Sequence, residues 1–248
     1  MMVLLSEWTK LRALRSTYVT LLVAAVTALI ASGIVAVSTA SVQASQAPPF
    51  GAVAGIFAGW LSYPALAVGI LGIITITAEY STGQIRLTFT AVPRRLSVLA
   101  AKAAVTGLTG LVLGEVLAFA GYGLTAAALA GHPLAGTLSG ASIHVLAGGL
   151  SLCAVILLGL GIGTICRRTA GAIFTLPAVL YAPLIVFTLP APWKDEIGRF
   201  TLVGAVYQLI ATHPSDQLFS PGLSLIVMLA WPTVALAVAA VVITRHDA

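Results

Sequence analysis

Apolar residues gather in six long blocks, at residues 17–37, 52–76, 98–129, 143–166, 170–190 and 222–243. A hydrocarbon core of about 30 Å needs about 20 residues of helix, so each block predicts a membrane span. The third is longer than needed, which places its start in the interface with Lys102 snorkelling toward water. The intervening segments differ in kind. Residues 38–50 are small, polar and proline-ended, and predict a loop. Gly131, His132 and Pro133 end the third block, Arg167 and Arg168 the fourth, and Arg245, His246 and Asp247 the sixth. Residues 191–221 begin polar, at Trp193 to Glu196. Then Phe200, Val203, Val206, Tyr207 and Ile210 recur at helical spacing over a stretch too short to span. That pattern predicts a short helix dipping into or lying on the membrane, with a seventh span as the competing reading.

Residues 1–16 show a third pattern. Val3, Leu4, Trp8, Leu11 and Leu14 fall on one side of a helix and Ser6, Thr9, Lys10 and Ala13 on the other. Glu7 and Arg15 interrupt the apolar arc. Trp8 suits the headgroup level, and Lys10, Arg12 and Arg15 suit anionic lipid. An interfacial helix is expected, against the alternative of a cytosolic tail. Val42, Gln43 and Ala44 loosely resemble a signal cleavage site. The apolar run before them exceeds a usual signal core, so an uncleaved first span is expected.

Composition narrows the class. The 248-residue chain is 59% hydrophobic and 8% charged, against about 25% charged in soluble domains. A soluble fold of this size could not bury so much apolar surface. The fold class expected is an all-α integral membrane protein. It forms one transmembrane domain over residues 1–248 with six spans, an N-terminal amphipathic interfacial helix and a short re-entrant or interfacial helix before the last span. The formal net charge of +5 comes from basic residues at the ends of apolar blocks, which reads as topology and not as a nucleic-acid face. Six spans put Lys10, Arg12, Arg15, Arg86, Arg94, Arg95, Lys102, Arg167, Arg168 and Arg245 on one side and Lys194 and Arg199 on the other. Ten against two predicts that both termini and residues 77–97 are cytoplasmic.

Candidate chemistry is sparse. No Gly-x-x-x-x-Gly-Lys-Ser/Thr loop occurs, so this chain does not hydrolyse nucleotide by that machinery. Neither a His-Glu-x-x-His motif nor a suggested Ser-His-Asp set is present, and no cofactor or metal is expected. His132, His144, His213 and His246 read as loop histidines, and Cys153 and Cys166 as inert buried thiols. Gly55 with Gly59, Gly110 with Gly114, and Gly159 with Gly163 permit close helix approach inside the subunit. Glu115 is the one acid expected deep in a span. A charge there is costly, so a place in a substrate path or in coupling is weighed against a neutral acid satisfied by a neighbouring helix.

The polar island at residues 77–97 stands apart, with Glu79, Arg86, Arg94 and Arg95 in an otherwise almost uncharged region. Several features together resemble the membrane subunit of a type-2 ABC transporter, the ABC-2 permease family. They are Ser6 to Arg12 before the first span, and the run Ile76, Glu79, Tyr80, Gly83, Ile85 and Arg86. Pro93, Arg94 and Arg95 follow, then Lys102 at the head of the third span. The chain is most similar to the small actinobacterial permeases with Glu-Tyr-Ser-Thr-Gly in this loop. Other members often have Gly-Thr after the Glu, where this chain has Thr82 and Gly83.

The resemblance implies two permease subunits, identical or related, and two separate ATP-binding subunits in the cytoplasm. It implies that residues 77–97 carry a coupling helix seated on the ATPase, with Glu79, Tyr80, Gly83, Ile85, Arg86, Pro93, Arg94 and Arg95 as contact residues. It also implies an elbow helix at the N-terminus and export across a bacterial plasma membrane. Scarce intramembrane charge suggests an amphiphilic or apolar substrate: a drug, antibiotic, peptide or lipid. A non-transporting assembly or anchoring protein is the alternative. An intramembrane enzyme is disfavoured for want of a catalytic set.

Overall fold

The computed structural model describes residues 2–41, 59–60, 63–92, 94–132, 142–186, 188–190, 193–210 and 219–245. The described residues form ten α-helices: α1 (Met2–Ala13), α2 (Arg15–Ala40), α3 (Tyr63–Ser81), α4 (Gln84–Ala91), α5 (Arg95–Ala128), α6 (Ser142–Cys166), α7 (Thr169–Val186), α8 (Trp193–Gly198), α9 (Leu202–Ile210) and α10 (Pro221–Arg245). Gly59 and Trp60 are also helical. No strand occurs among the described residues. Five helices, α2, α3, α5, α6 and α10, are long and apolar enough to cross a membrane, whereas the apolar stretch Thr169–Tyr181 in α7 is shorter. The chain is an all-α, multi-pass membrane protein.

The bundle is built around α6. Helices α3, α5 and α10 pack along it, and α2 lies outside against α3 and α5. Backbones approach closely where glycines meet. A Cβ added to Gly72 would lie 2.0 Å from the Ile156 carbonyl oxygen, and one on Gly159 2.1 Å from that of Gly69. One on Gly114 would lie 2.2 Å from the Gly149 carbonyl oxygen. Lipid chains are as apolar as leucine, so helices in a membrane associate through packing of this kind. The expected packing role of Gly110, Gly114, Gly159 and Gly163 is therefore met within the subunit; Gly55 lies outside the described residues. The outer helices instead expose apolar side chains, among them Leu22, Ile30 and Ile34 on α2 and Ile226, Val234 and Val241 on α10.

Several boundaries differ from expectation. The second apolar block ends at residue 76, yet α3 continues to Ser81, so Glu79 belongs to a long helix and not to a loop. Most of residues 77–97 is helical. Gly83 breaks the run with φ 72°, a left-handed conformation that suits glycine, and α4 starts after it. Helix α5 begins at Arg95, three residues before the expected position, and α7 ends at Val186, short of residue 190. In the segment before the last span, Leu202–Ile210 forms the helix its periodicity predicts and packs on α10 and α6. Residues 51–58 of the second block lie outside the described residues.

Candidate functional site

Helix α1 divides its sides differently from its hydropathy. Glu7 and Leu11 are buried, with Val3, Lys10 and Leu14 half-buried beside them. That i, i+4, i+7 row docks the helix onto α5. Leu4, Leu5, Trp8, Arg12 and Arg15 are exposed, and the Arg12 guanidinium lies 6.0 Å from the Trp8 ring centroid. Glu7, an interruption of the apolar arc in sequence, is the group by which α1 docks.

Its partners come from far along the chain. Lys102 Nζ, on α5, donates to Glu7 Oε2 at 2.5 Å and to Glu79 Oε1 at 2.9 Å. It also donates to the Thr75 carbonyl at 3.2 Å, so all three ammonium protons have acceptors. Lys10 Nζ donates to Glu7 Oε1 at 2.8 Å and Glu79 Oε1 at 2.9 Å, with Thr88 Oγ1 on α4 at 3.4 Å. Lys102 therefore does not snorkel. It is 4% exposed, Glu7 3% and Glu79 5%. Each buried ion costs several kcal/mol in lost hydration, offset only by partners of good geometry. Two acids and two lysines give zero formal charge and supply most of those partners; Glu79 Oε2 alone in the cluster is buried with no hydrogen-bond partner among the described residues. Burial pushes the Glu7 carboxyl up, but Lys102 and Lys10 outweigh it and hold Glu7 below its ordinary value. Burial likewise pushes Lys10 down, while the hydrogen bonds it donates to Glu7 and Glu79 and their charges hold it above its ordinary value. A cavity of about 270 Å³ adjoins the cluster, lined by Glu7, Lys10, Glu79, Gln84, Lys102 and Thr106 among others.

The base of α4 rests on a second set of contacts. Ile85 is buried against Ile76 and Leu160, with Tyr80 and Phe89 packed around them. Arg95 stacks over Phe89 at 5.3 Å and donates to the Ile243 carbonyl at 3.0 Å. Arg167 lies 5.9 Å from the Tyr80 centroid and donates to the Val242 carbonyl at 3.3 Å. Both arginines thus hold carbonyls of the last turn of α10, where the helix dipole is negative. Arg167 ends α6 in a left-handed conformation, φ 55°.

The structure thus gathers Lys10, Glu79, Tyr80, Ile85 and Arg95 at one end of the bundle. Glu79 and Arg86 sit on different helices, with Glu79 buried and Arg86 exposed. Gly83, Arg86 and Arg94 are exposed, and Pro93 lies outside the described residues. Leu87, next to Arg86, is 71% exposed on the outer side of α4. Glu115 lies apart, thirteen positions beyond Lys102 on α5, or about 20 Å along the helix. The sequence does not mark Glu7, Phe89 or Arg167 as site residues. For Glu7 a signal existed: an acid inside an apolar arc asks for a buried partner.

His144 Nδ1 lies 2.8 Å from the Leu209 carbonyl, and His213 and His246 are outside the described residues. Among the described residues no group of three or more His, Cys, Asp or Glu could hold a metal. No protein-family model matches the chain, and no curated protein matches it.

Proposed function

We propose that the chain is the permease subunit of an ATP-driven transporter, coupled through α4 to a separate ATP-binding subunit. The observation that carries this reading is the mounting of α4. It is a short helix at the end of the bundle, between two membrane-crossing helices, with Arg86 and Leu87 turned outward and Ile85 inward. An exposed leucine beside an arginine suits a protein groove with an acidic rim. The inner side bears on Ile76 and Leu160, hence on α3 and α6. Through Phe89 and Arg95 it also bears on the end of α10. A push on α4 reaches the central helices directly. The Glu7, Lys10, Glu79 and Lys102 cluster makes α1 move with the ends of α3 and α5.

On this reading α7 also spans the membrane, as the fifth of six spans, both termini and α4 face the cytoplasm of a bacterial cell, and Trp8, Arg12 and Arg15 hold α1 at the lipid headgroups. Two ATP-binding subunits serve two permease subunits, and closure of the ATPases drives an amphiphilic or apolar substrate outward. Glu79, expected as a direct ATPase contact, acts instead from inside, as part of the joint on which α4 turns.

The test is purification of the tagged chain from its native membrane in mild detergent. A subunit with a phosphate-binding glycine-rich loop and ATPase activity should co-purify in equimolar amount. Leu87→Glu and Arg86→Ala should lower its recovery several-fold while leaving membrane insertion intact. Absence of such a subunit, or equal recovery with both variants, overturns the reading.

A further inference from the structure

Glu115 is the acid that the charged junction does not account for. Its helix side is shared with Leu108, Val112 and Phe119, which are 58%, 56% and 52% exposed. The residue itself is half-buried at the seam of α5 and α6. The carboxyl group rests against the α6 backbone where Gly149 leaves room: a Cβ there would lie 2.6 Å from Glu115 Cδ and 2.7 Å from each carboxylate oxygen. Oε2 is buried and has no hydrogen-bond partner among the described residues. Lys102, the nearest cation on α5, lies about 20 Å away along the helix and already serves Glu7 and Glu79. A carboxyl group within hydrocarbon is satisfied by a proton or by a cation brought to it. The flanking residues are apolar, so a cation arriving there needs apolar bulk of its own.

We infer that Glu115 and the α5–α6 seam form a binding site for an amphiphilic cation, the carboxylate taking the positive group and Leu108, Val112 and Phe119 the apolar body. Charge complementarity selects this occupant over a second copy of the chain, which would bring another Glu115 and, from within its membrane-crossing helices as described, only Lys102, already paired with Glu7 and Glu79. The inference deepens the transport reading by assigning a charge to the substrate, but the binding step needs no ATPase.

The probe is tetraphenylphosphonium, titrated against the purified chain in neutral-lipid nanodiscs, with tetraphenylborate as the anion of matching shape. Saturable binding of the cation, no saturable binding of the anion when it is titrated alone, and a loss of roughly ten-fold or more in cation affinity for Glu115→Gln are expected. Glu115→Asp, which keeps the charge, should retain part of the affinity and shows that the loss in Glu115→Gln is not misfolding. Undiminished binding by Glu115→Gln, or no saturable binding by the wild-type chain, overturns the proposal. So does a wild-type chain that binds no cation but is a dimer that Glu115→Gln turns into monomer, which would mark the seam as a subunit contact. Co-purification of an ATPase should be unchanged in Glu115→Gln, so failure here and failure of the transport reading are separable.

Discussion

The α3–α6 seam and the junction of α1, α3 and α5 are both nearly closed to water, yet they are held by opposite means. Along the seam, glycines let backbones touch and leave no polar side chain to satisfy: Gly72 meets Ile156 and Gly159 meets Gly69. At the junction, Lys102 and Lys10 bind Glu7 and Glu79 over 2.5–2.9 Å. The first depends on the absence of atoms and the second on the presence of charges. A seam of small residues resists any increase in volume but is indifferent to charge. An ion cluster tolerates no loss of one member, because the others are then buried unpaired.

The sharpest break comes from Lys102→Ala. It leaves Glu7 and Glu79 facing each other with Lys10 alone, and should cost about 3–5 kcal/mol. A large fall in thermal midpoint in detergent would show it. Replacing all four charged residues together with leucine or methionine should recover most of that stability, since well-packed apolar substitutes often equal or exceed a buried ion set. If the quadruple variant is stable but no longer transports, the cluster serves motion more than folding. If single and quadruple variants are equally unstable, the four charges do not act as one unit.

Next in size is Gly72→Ala. The added methyl meets backbone, at 2.0 Å from the Ile156 oxygen, so the helices must part. About 1–3 kcal/mol is expected from overpacking, read from the same thermal midpoint. Gly171→Ala is the control. Nothing lies within 4 Å of its Cβ position, and a helical Gly-to-Ala change there should be neutral or stabilise by up to about 1 kcal/mol. Equal effects at Gly72 and Gly171 would remove close approach as the basis of the seam.

The two regions also differ in how far the sequence reveals them. Apolar blocks of about 20 residues announce spanning helices because the bilayer fixes their length, and α2, α5, α6 and α10 lie close to where the blocks put them. Thr82 and Gly83 mark the break before α4, since only a left-handed residue turns the chain there. Glu79 is misread, because an acid in a polar island looks solvated. What buries it is Lys102, 23 positions on, and Lys10, 69 positions back. Glu7 fails the same way, with a partner 95 positions distant. Hydropathy is a local quantity and carries no trace of such pairings. Arg95 reads as a topology charge or an ATPase contact and Arg167 as a topology charge, and nothing local says that both reach the carbonyls ending α10.

The smallest effect is confined to α1 and tests the junction alone. Glu7 is held below its ordinary value of 4.5, so its contribution is full above that value and is lost as pH falls through the lowered one. Lys10 is held above 10.5, so its contribution is full below that value and is lost as pH rises through the raised one. Between these limits the docking of α1 should not vary with pH. Amide exchange over residues 2–13, scaled to α10 in the same sample to cancel the intrinsic pH dependence, should be flat across neutral pH. It should accelerate several-fold on acidification below about pH 4. In Glu7→Gln the acid step should vanish while exchange at neutral pH is already faster, since the amide keeps the shape but not the charge that Lys102 needs. An acid step of unchanged size in Glu7→Gln would mean that another carboxyl holds α1, and Glu79 is the one in contact. The glycine seam has no titrating group, so α6 amides should keep their protection throughout the same range.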